Sequence, residues 1–173
     1  MRRAALLTLI ALWAVAASVV SAPVMAGDFA FKCRISAPAK IQAGKKIPLT
    51  FTLTNKGSGA VNVLTWNTPL EGLTGTFMRV SAPDGTELAY GGPMVKRAPP
   101  TAENYLRIRK GSTRERTIDL ARAYSFTKPG VYRVAFTGSL ADVYAGAINK
   151  ARSFEQLVPL SVACPEIKLD LQR

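Results

Sequence analysis

Two loops carry the side chains of this chain best suited to gripping another molecule. One reads Trp66-Asn67-Thr68-Pro69-Leu70-Glu71-Gly72 and the other Gly91-Gly92-Pro93-Met94-Val95-Lys96-Arg97-Ala98-Pro99-Pro100-Thr101. Proline fixes φ and glycine admits positive φ, so both segments are irregular and stiff. Such loops on a β scaffold carry recognition more often than stability. Lys96 and Arg97, flanked by Pro93, Pro99 and Pro100, form a cationic tip whose ordering cost on binding is low. Trp66 and Leu70 are apolar anchors of the type that dominates interface energetics, with Thr68, Pro69 and Glu71 shaping the loop between them. A plainer reading stands beside this one: Trp66 caps a core and Lys96-Arg97 is a solvated corner.

Bond-breaking chemistry finds little support. The chain has no histidine, which removes Ser-His-Asp and Cys-His nucleophiles and every zinc site built on histidine. Two distant cysteines cannot make a thiolate zinc site, and Met78 and Met94 are too few for a methionine-rich copper site. A carboxylate pair at glycosidase separation is conceivable. However, acids such as Asp84, Glu103 and Asp119 are scattered among turns and strand ends. No phosphate-binding or dinucleotide loop is present. The expectation is a non-enzyme without metal or cofactor.

The surrounding sequence alternates with period two between turn signals, the pattern of strands. Leu49, Phe51 and Leu53 point one way, and Thr50, Thr52 and Thr54 the other. Further strands are expected at 61–63, 77–80, 88–90, 105–108, 114–120 and 131–136, where Tyr132, Val134 and Phe136 share a face. A closing strand is expected at 156–162. Turns are marked by Asn55-Lys56-Gly57-Ser58-Gly59, Pro83-Asp84-Gly85, Lys110-Gly111-Ser112 and Lys128-Pro129-Gly130. About seven to eight short strands with regular turns predict an all-β, immunoglobulin-like sandwich. Tyr124 is a candidate tyrosine corner. Leu140, Val143, Tyr144, Ala147 and Ile148 have three-and-four spacing, which predicts one short amphipathic helix, with a strand and irregular loop as the alternative.

Targeting and charge bound the setting. Arg2 and Arg3, the apolar run 4–22 and Val24-Met25-Ala26 read as a signal peptide spanning 1–26, with 27–173 as a single domain. The alternative is an uncleaved anchor, the one route by which a membrane enters the reading. The whole-chain net charge of +12 loses only Arg2 and Arg3 with that leader and stays strongly positive. Anionic polymers, membranes or acidic proteins would be attracted. No nucleic-acid signature is present, and export argues against such a partner. Export to periplasm or medium also permits a Cys33–Cys164 disulfide, which stabilises by about 4–5 kcal/mol in the chain-entropy model. Two separate buried thiols are the alternative.

An ordered series of residues resembles a known domain over residues 46–138. Leu64-Thr65-Trp66-Asn67-Thr68-Pro69-Leu70-Glu71-Gly72, then Tyr90-Gly91-Gly92-Pro93, Lys96-Arg97 and Pro99-Pro100 carry most of it. Glu103-Asn104-Tyr105, Ile118-Asp119-Leu120, Tyr124, Pro129-Gly130 and Tyr132 complete it. The series is similar to the non-catalytic N-terminal β domain of the deuterolysin-like (aspzincin) lysine-specific metalloendopeptidases. In that family the domain is a propeptide that assists folding and restrains a zinc protease. The present sequence lacks that protease's zinc helix, so the resemblance implies a companion domain without proteolysis. It implies a monomer that binds an exported zinc metalloendopeptidase as inhibitor or chaperone. An envelope module binding anionic polymer or lipid, and a remnant of a protease gene, are the other readings.

Overall fold

The computed structural model describes residues 29–148 and 152–173. The expected signal peptide at 1–26 lies outside the described residues. Ten strands run in chain order: β1 (Phe31–Ser36), β2 (Lys40–Gln42), β3 (Pro48–Asn55), β4 (Val61–Leu64), β5 (Met78–Ser81), β6 (Tyr105–Ile108), β7 (Thr113–Asp119), β8 (Gly130–Phe136), β9 (Val143–Ala145) and β10 (Ile167–Gln172).

They form one sheet of order β1-β3-β7, a second of order β2-β10-β8-β5, and a smaller third of order β6-β4-β9. The first sheet is antiparallel, with Ile35 opposite Phe51 and Thr50 opposite Thr117. In the second, β2 alone runs parallel to its neighbour. The consecutive strands β1 and β2 thus lie in different sheets, and β1-β3-β7 against β5-β8-β10 reproduces the A-B-E and C-F-G partition of the immunoglobulin fold.

The alternation of β3 becomes burial: Leu49, Phe51 and Leu53 are fully enclosed, while Thr50 and Thr54 pair outward with Thr117 and Thr113 at 2.8 and 2.9 Å. Phe51 meets Phe136 of the second sheet at a ring-centroid distance of 5.2 Å, so the two sheets share one core. Cys33 on β1 is bonded to Cys164, just before β10, and closes 131 residues of separation. Asn55 is buried and satisfied, donating to Gly59 O and Ile108 O and accepting from Gly57 N. It fastens the β3 turn to β6, where the third sheet begins.

Several sequence expectations need correction. No helix forms at 140–148. Leu140 bridges Leu160, and Val143–Ala145 is strand β9 against β4. Gly146, at φ +105°, and β-branched Val143 weaken a helix there, and pairing with an open strand edge prevails. The closing strand is β10, not 156–162. Pro159 cannot donate to a ladder, and residues Phe154–Gln156 form a 3₁₀ turn instead. Segment 88–90 is not a strand. It contributes only a Leu88 N–H to Val80 O bond beside an isolated Ser81–Glu87 bridge. Six of the expected strands form, and β1, β2, β9 and β10 bring the count to ten; β2 and β9 have three residues each, too short to show alternation.

The tyrosine corner is Tyr132, whose hydroxyl donates to Lys128 O at 2.8 Å and accepts from Lys128 N. Tyr124 does something else: its hydroxyl donates to Met78 O at 2.6 Å, tying the segment before β8 to β5. Burial, with Tyr90 and Glu87 nearby, pushes its pKa up to about 12. The turns Pro83-Asp84-Gly85 and Lys128-Pro129-Gly130 meet through a Lys128–Asp84 ion pair at 2.6 Å. Gly130 adopts φ +128°, and a Cβ there would stand 2.9 Å from Pro83 Cγ, so glycine is required.

Candidate functional site: a latched loop with an exposed tip

The first loop folds on itself through Thr68. Its buried hydroxyl donates to Thr65 O at 2.6 Å and accepts from Leu70 N at 3.2 Å. Glu71 N then bonds Thr68 O, and Gly72 N bonds Pro69 O, which winds 68–72 into a tight turn. Asn67 takes φ +55°, a conformation asparagine tolerates, to enter that turn. The winding drives Trp66, Thr68, Pro69 and Leu70 inward. Trp66 is 6% exposed and packs with Leu64 and Tyr105 in a small second core. Trp66 and Leu70 are therefore not surface anchors. Trp66 lies in the small core with Leu64 and Tyr105, and Leu70 in the main core between the sheets.

Glu71 turns toward the second loop. Its two carboxylate oxygens receive both terminal nitrogens of Arg97 in a bidentate pair, and Thr74 Oγ1 donates to Oε2 at 3.0 Å. The guanidinium carbon of Arg97 also sits 4.9 Å from the Trp66 ring centroid. Its plane is thus held on one side by an aromatic face and at its end by a carboxylate fork. Both partners are 20% exposed. Arg97 is consumed in this latch, which corrects its expected role as a free cation. Sequence reasoning paired it with Lys96 because they are adjacent, whereas the fold sends one inward and leaves the other outside.

The second loop is tied at its start as well. Gly91 N bonds Ala123 O at 2.8 Å, and Tyr90 Oη donates to Pro93 O at 2.9 Å. Gly92 lies under this arch, where a Cβ would come within 2.6 Å of Tyr90 Oη. Beyond Arg97, Pro100 is buried, and Thr101 opens a 3₁₀ turn closed by Asn104 N to Thr101 O. Between the two ties only the tip Pro93-Met94-Val95-Lys96 stands free. Met94 is 70% and Val95 47% exposed. Lys96 and Pro99 are exposed, and Lys96 has no ion-pair partner among the described residues. The apolar pair Met94-Val95 went unmarked in the sequence, where hydrophobicity reads as burial.

A second polar constellation, also unmarked, lies in the third sheet. Asp142 is fully buried; it accepts from Tyr105 Oη at 2.8 Å and from Val158 N at 2.9 Å. Arg152 Nε is 2.8 Å from Asp142 Oδ2 without its N–H directed at it, a contact of charges and not an aligned hydrogen bond. The same guanidinium lies 4.7 Å from the Tyr144 ring centroid. Burial first, and then the Asp142 carboxylate, raise the Tyr105 pKa. The group acts as a clamp holding 152–158 onto β6 and β9. Beside it an apolar cavity of about 230 Å³ is lined by Phe29, Val143, Tyr144, Val158 and Leu160, with Arg152 at one wall. Among the described residues no three cysteine, aspartate or glutamate side chains converge as metal ligands, and no helix is long and apolar enough to cross a membrane.

No protein-family model and no curated protein matches the chain. Among solved structures, it is similar to the CARDB domain of the PF1109 protein from Pyrococcus furiosus, solved with di-metal ions. That match has 11% identity and a TM-score of 0.36 over 84% of this chain and 90% of that one. It is also similar to a mutant β-glucosidase from Listeria innocua in complex with laminaribiose, at 11% identity and TM-score 0.37, over 84% of this chain but 16% of that one. Likenesses this distant carry no argument about what the present chain binds.

Proposed function

We propose that this chain is an exported, non-catalytic, monomeric protein-binding domain. Its contact site is the tip Pro93-Met94-Val95-Lys96, and its partner is an exported zinc metalloendopeptidase that it restrains or helps to fold. The observation that carries the reading is the exposed Met94-Val95 pair beside an unpaired Lys96, on a loop tied at both ends. Exposed apolar side chains on a stiff loop favour contact, because burial is gained with little ordering cost. The resemblance of 46–138 to the aspzincin propeptide supplies the partner class. A lysine-cleaving enzyme presents an acidic specificity pocket, and Lys96 is the side chain placed to enter it.

The test is inhibition of a lysine-specific zinc endopeptidase by the purified domain. Lys96→Ala should weaken inhibition about tenfold, and Met94→Ser with Val95→Ser by a similar factor, the scale of a ~1–2 kcal/mol interface contact. Arg97→Ala should weaken it through loosening of the loop and should also lower stability. Full inhibition by the Lys96 and Met94-Val95 variants together would refute this site. Absence of any binding to the protease would refute the partner.

A further inference from the structure

The other concentration of unsatisfied chemistry is the turn between β6 and β7. Arg109 and Lys110 occupy it, closed by Ser112 N to Arg109 O at 3.0 Å with Gly111 at φ +72°. Asn55 N bonds Ser112 O and Gly111 N bonds Asn55 O, which brings Lys56 alongside. Arg114 Nη2 donates to Arg107 O at 3.2 Å, and Arg107 Nη1 donates to Gly146 O at 2.6 Å. Five exposed cations, Lys56, Arg107, Arg109, Lys110 and Arg114, therefore share one corner of the domain. None takes part in the three ion pairs among the described residues. The nearest acid in sequence, Glu115, alternates to the opposite face of β7, level with Thr52.

Like charges gathered without counter-charges repel, so the cluster lowers stability until an anion neutralises it. Two of the guanidiniums are positioned by backbone carbonyls, which fix their direction and leave their charge intact. The remaining N–H groups suit planar carboxylate or tetrahedral sulfate oxygens. The exposed large apolar residues, Met94, Val95, Val131, Phe154 and Val158, all lie outside this turn, so it has no wedge for a lipid interface. Tyr105, the aromatic residue on β6, is 5% exposed and offers no face for base stacking.

We propose that the β6–β7 turn is a docking site for an anionic polysaccharide, distinct from the loop tip. The intact domain would be titrated with polygalacturonate as the carboxylate probe and heparin as the sulfate probe, at about 50 mM and about 300 mM NaCl. Binding to at least one is expected, weakened severalfold by the added salt. Arg109→Ser with Lys110→Ser should weaken it about tenfold or more, since neither side chain makes a hydrogen bond among the described residues. Arg109→Lys with Lys110→Arg should retain binding. Lys45→Ser with Lys46→Ser, an equal charge change in another turn, should alter affinity less than about twofold. Equal losses from both serine pairs would overturn the assignment. So would no binding at low salt, or tighter binding to phosphatidylglycerol vesicles or oligothymidine than to either polysaccharide.

Discussion

Replacing Glu71 by glutamine tests whether the latch organises the site. The carboxylate receives three donors: both terminal nitrogens of Arg97 and the Thr74 hydroxyl. Glutamine keeps the shape but leaves one acceptor and turns an amide nitrogen toward the guanidinium. A charge-assisted hydrogen bond is worth about 1.5–3 kcal/mol, whereas an exposed ion pair is worth about 0.2–1. With both partners four-fifths covered, the loss should fall near the lower end of the first range, about 2 kcal/mol. In a domain of this size that lowers Tm by about 4–8 °C.

The assay is chemical denaturation of wild type, Glu71→Gln, Arg97→Met and the double variant. The coupling energy from that cycle should be about 1.5–2 kcal/mol. More than half should survive in about 1 M NaCl, because mobile ions screen covered charges poorly. Cleavage after Lys96 by a lysine-specific protease should also accelerate in Glu71→Gln, as the tip loses its second tie. A coupling energy below about 0.5 kcal/mol, or one abolished by salt, would refute the reasoning and make the pair an ordinary surface contact.

Reducing the Cys33–Cys164 bond, or replacing both residues by alanine, should cost about 4–5 kcal/mol by equilibrium unfolding, since the cross-link closes 131 residues of separation. Tyr124→Phe should cost about 1–3 kcal/mol by leaving the Met78 carbonyl without its buried donor. Because the Tyr124 pKa is raised from 10.0 to about 12 in the fold, its contribution is complete below pH 10 and is lost as pH rises through about 12. The alkaline decline of wild-type stability between those values should therefore be shallower in Tyr124→Phe. Gly130→Ala should destabilise more than Gly111→Ala, which costs about 1–2 kcal/mol. Both need positive φ, but only Gly130 would drive a Cβ to 2.9 Å from Pro83, and thermal melts of the two variants decide it.

Period-two patterns make much of the all-β fold legible in the sequence. Leu49, Phe51, Leu53, Tyr132, Val134 and Phe136 were assigned to one side of their strands, and all six are buried. The Cys33–Cys164 pairing follows from an expected export signal and an even cysteine count, and the structure contains the bond. Those inferences rest on nearest-neighbour geometry along one strand and on composition, which a sequence carries directly.

The site was legible only as two loops of unusual composition. Leu70 reads as an outward anchor and lies inside; Trp66 reads as either an anchor or a core cap and is a core residue; Arg97 reads as free and is paired; Met94 and Val95 go unmarked and are exposed. Tyr124 and Tyr132 have the same side chain eight positions apart, yet one bonds across to β5 and the other closes its own turn. Apart from the local Tyr132 bond, these outcomes depend on which distant segment arrives beside the residue. Glu71 and Arg97 are separated by 26 positions, and Tyr105 and Asp142 by 37. The sequence by itself determined the strongly alternating strands such as β3 and β8, their buried faces and the absence of histidine chemistry. Tertiary structure alone decided which polar and cationic side chains were spent on internal contacts and which were left exposed, because that division is set by packing between segments and not by neighbours along the chain.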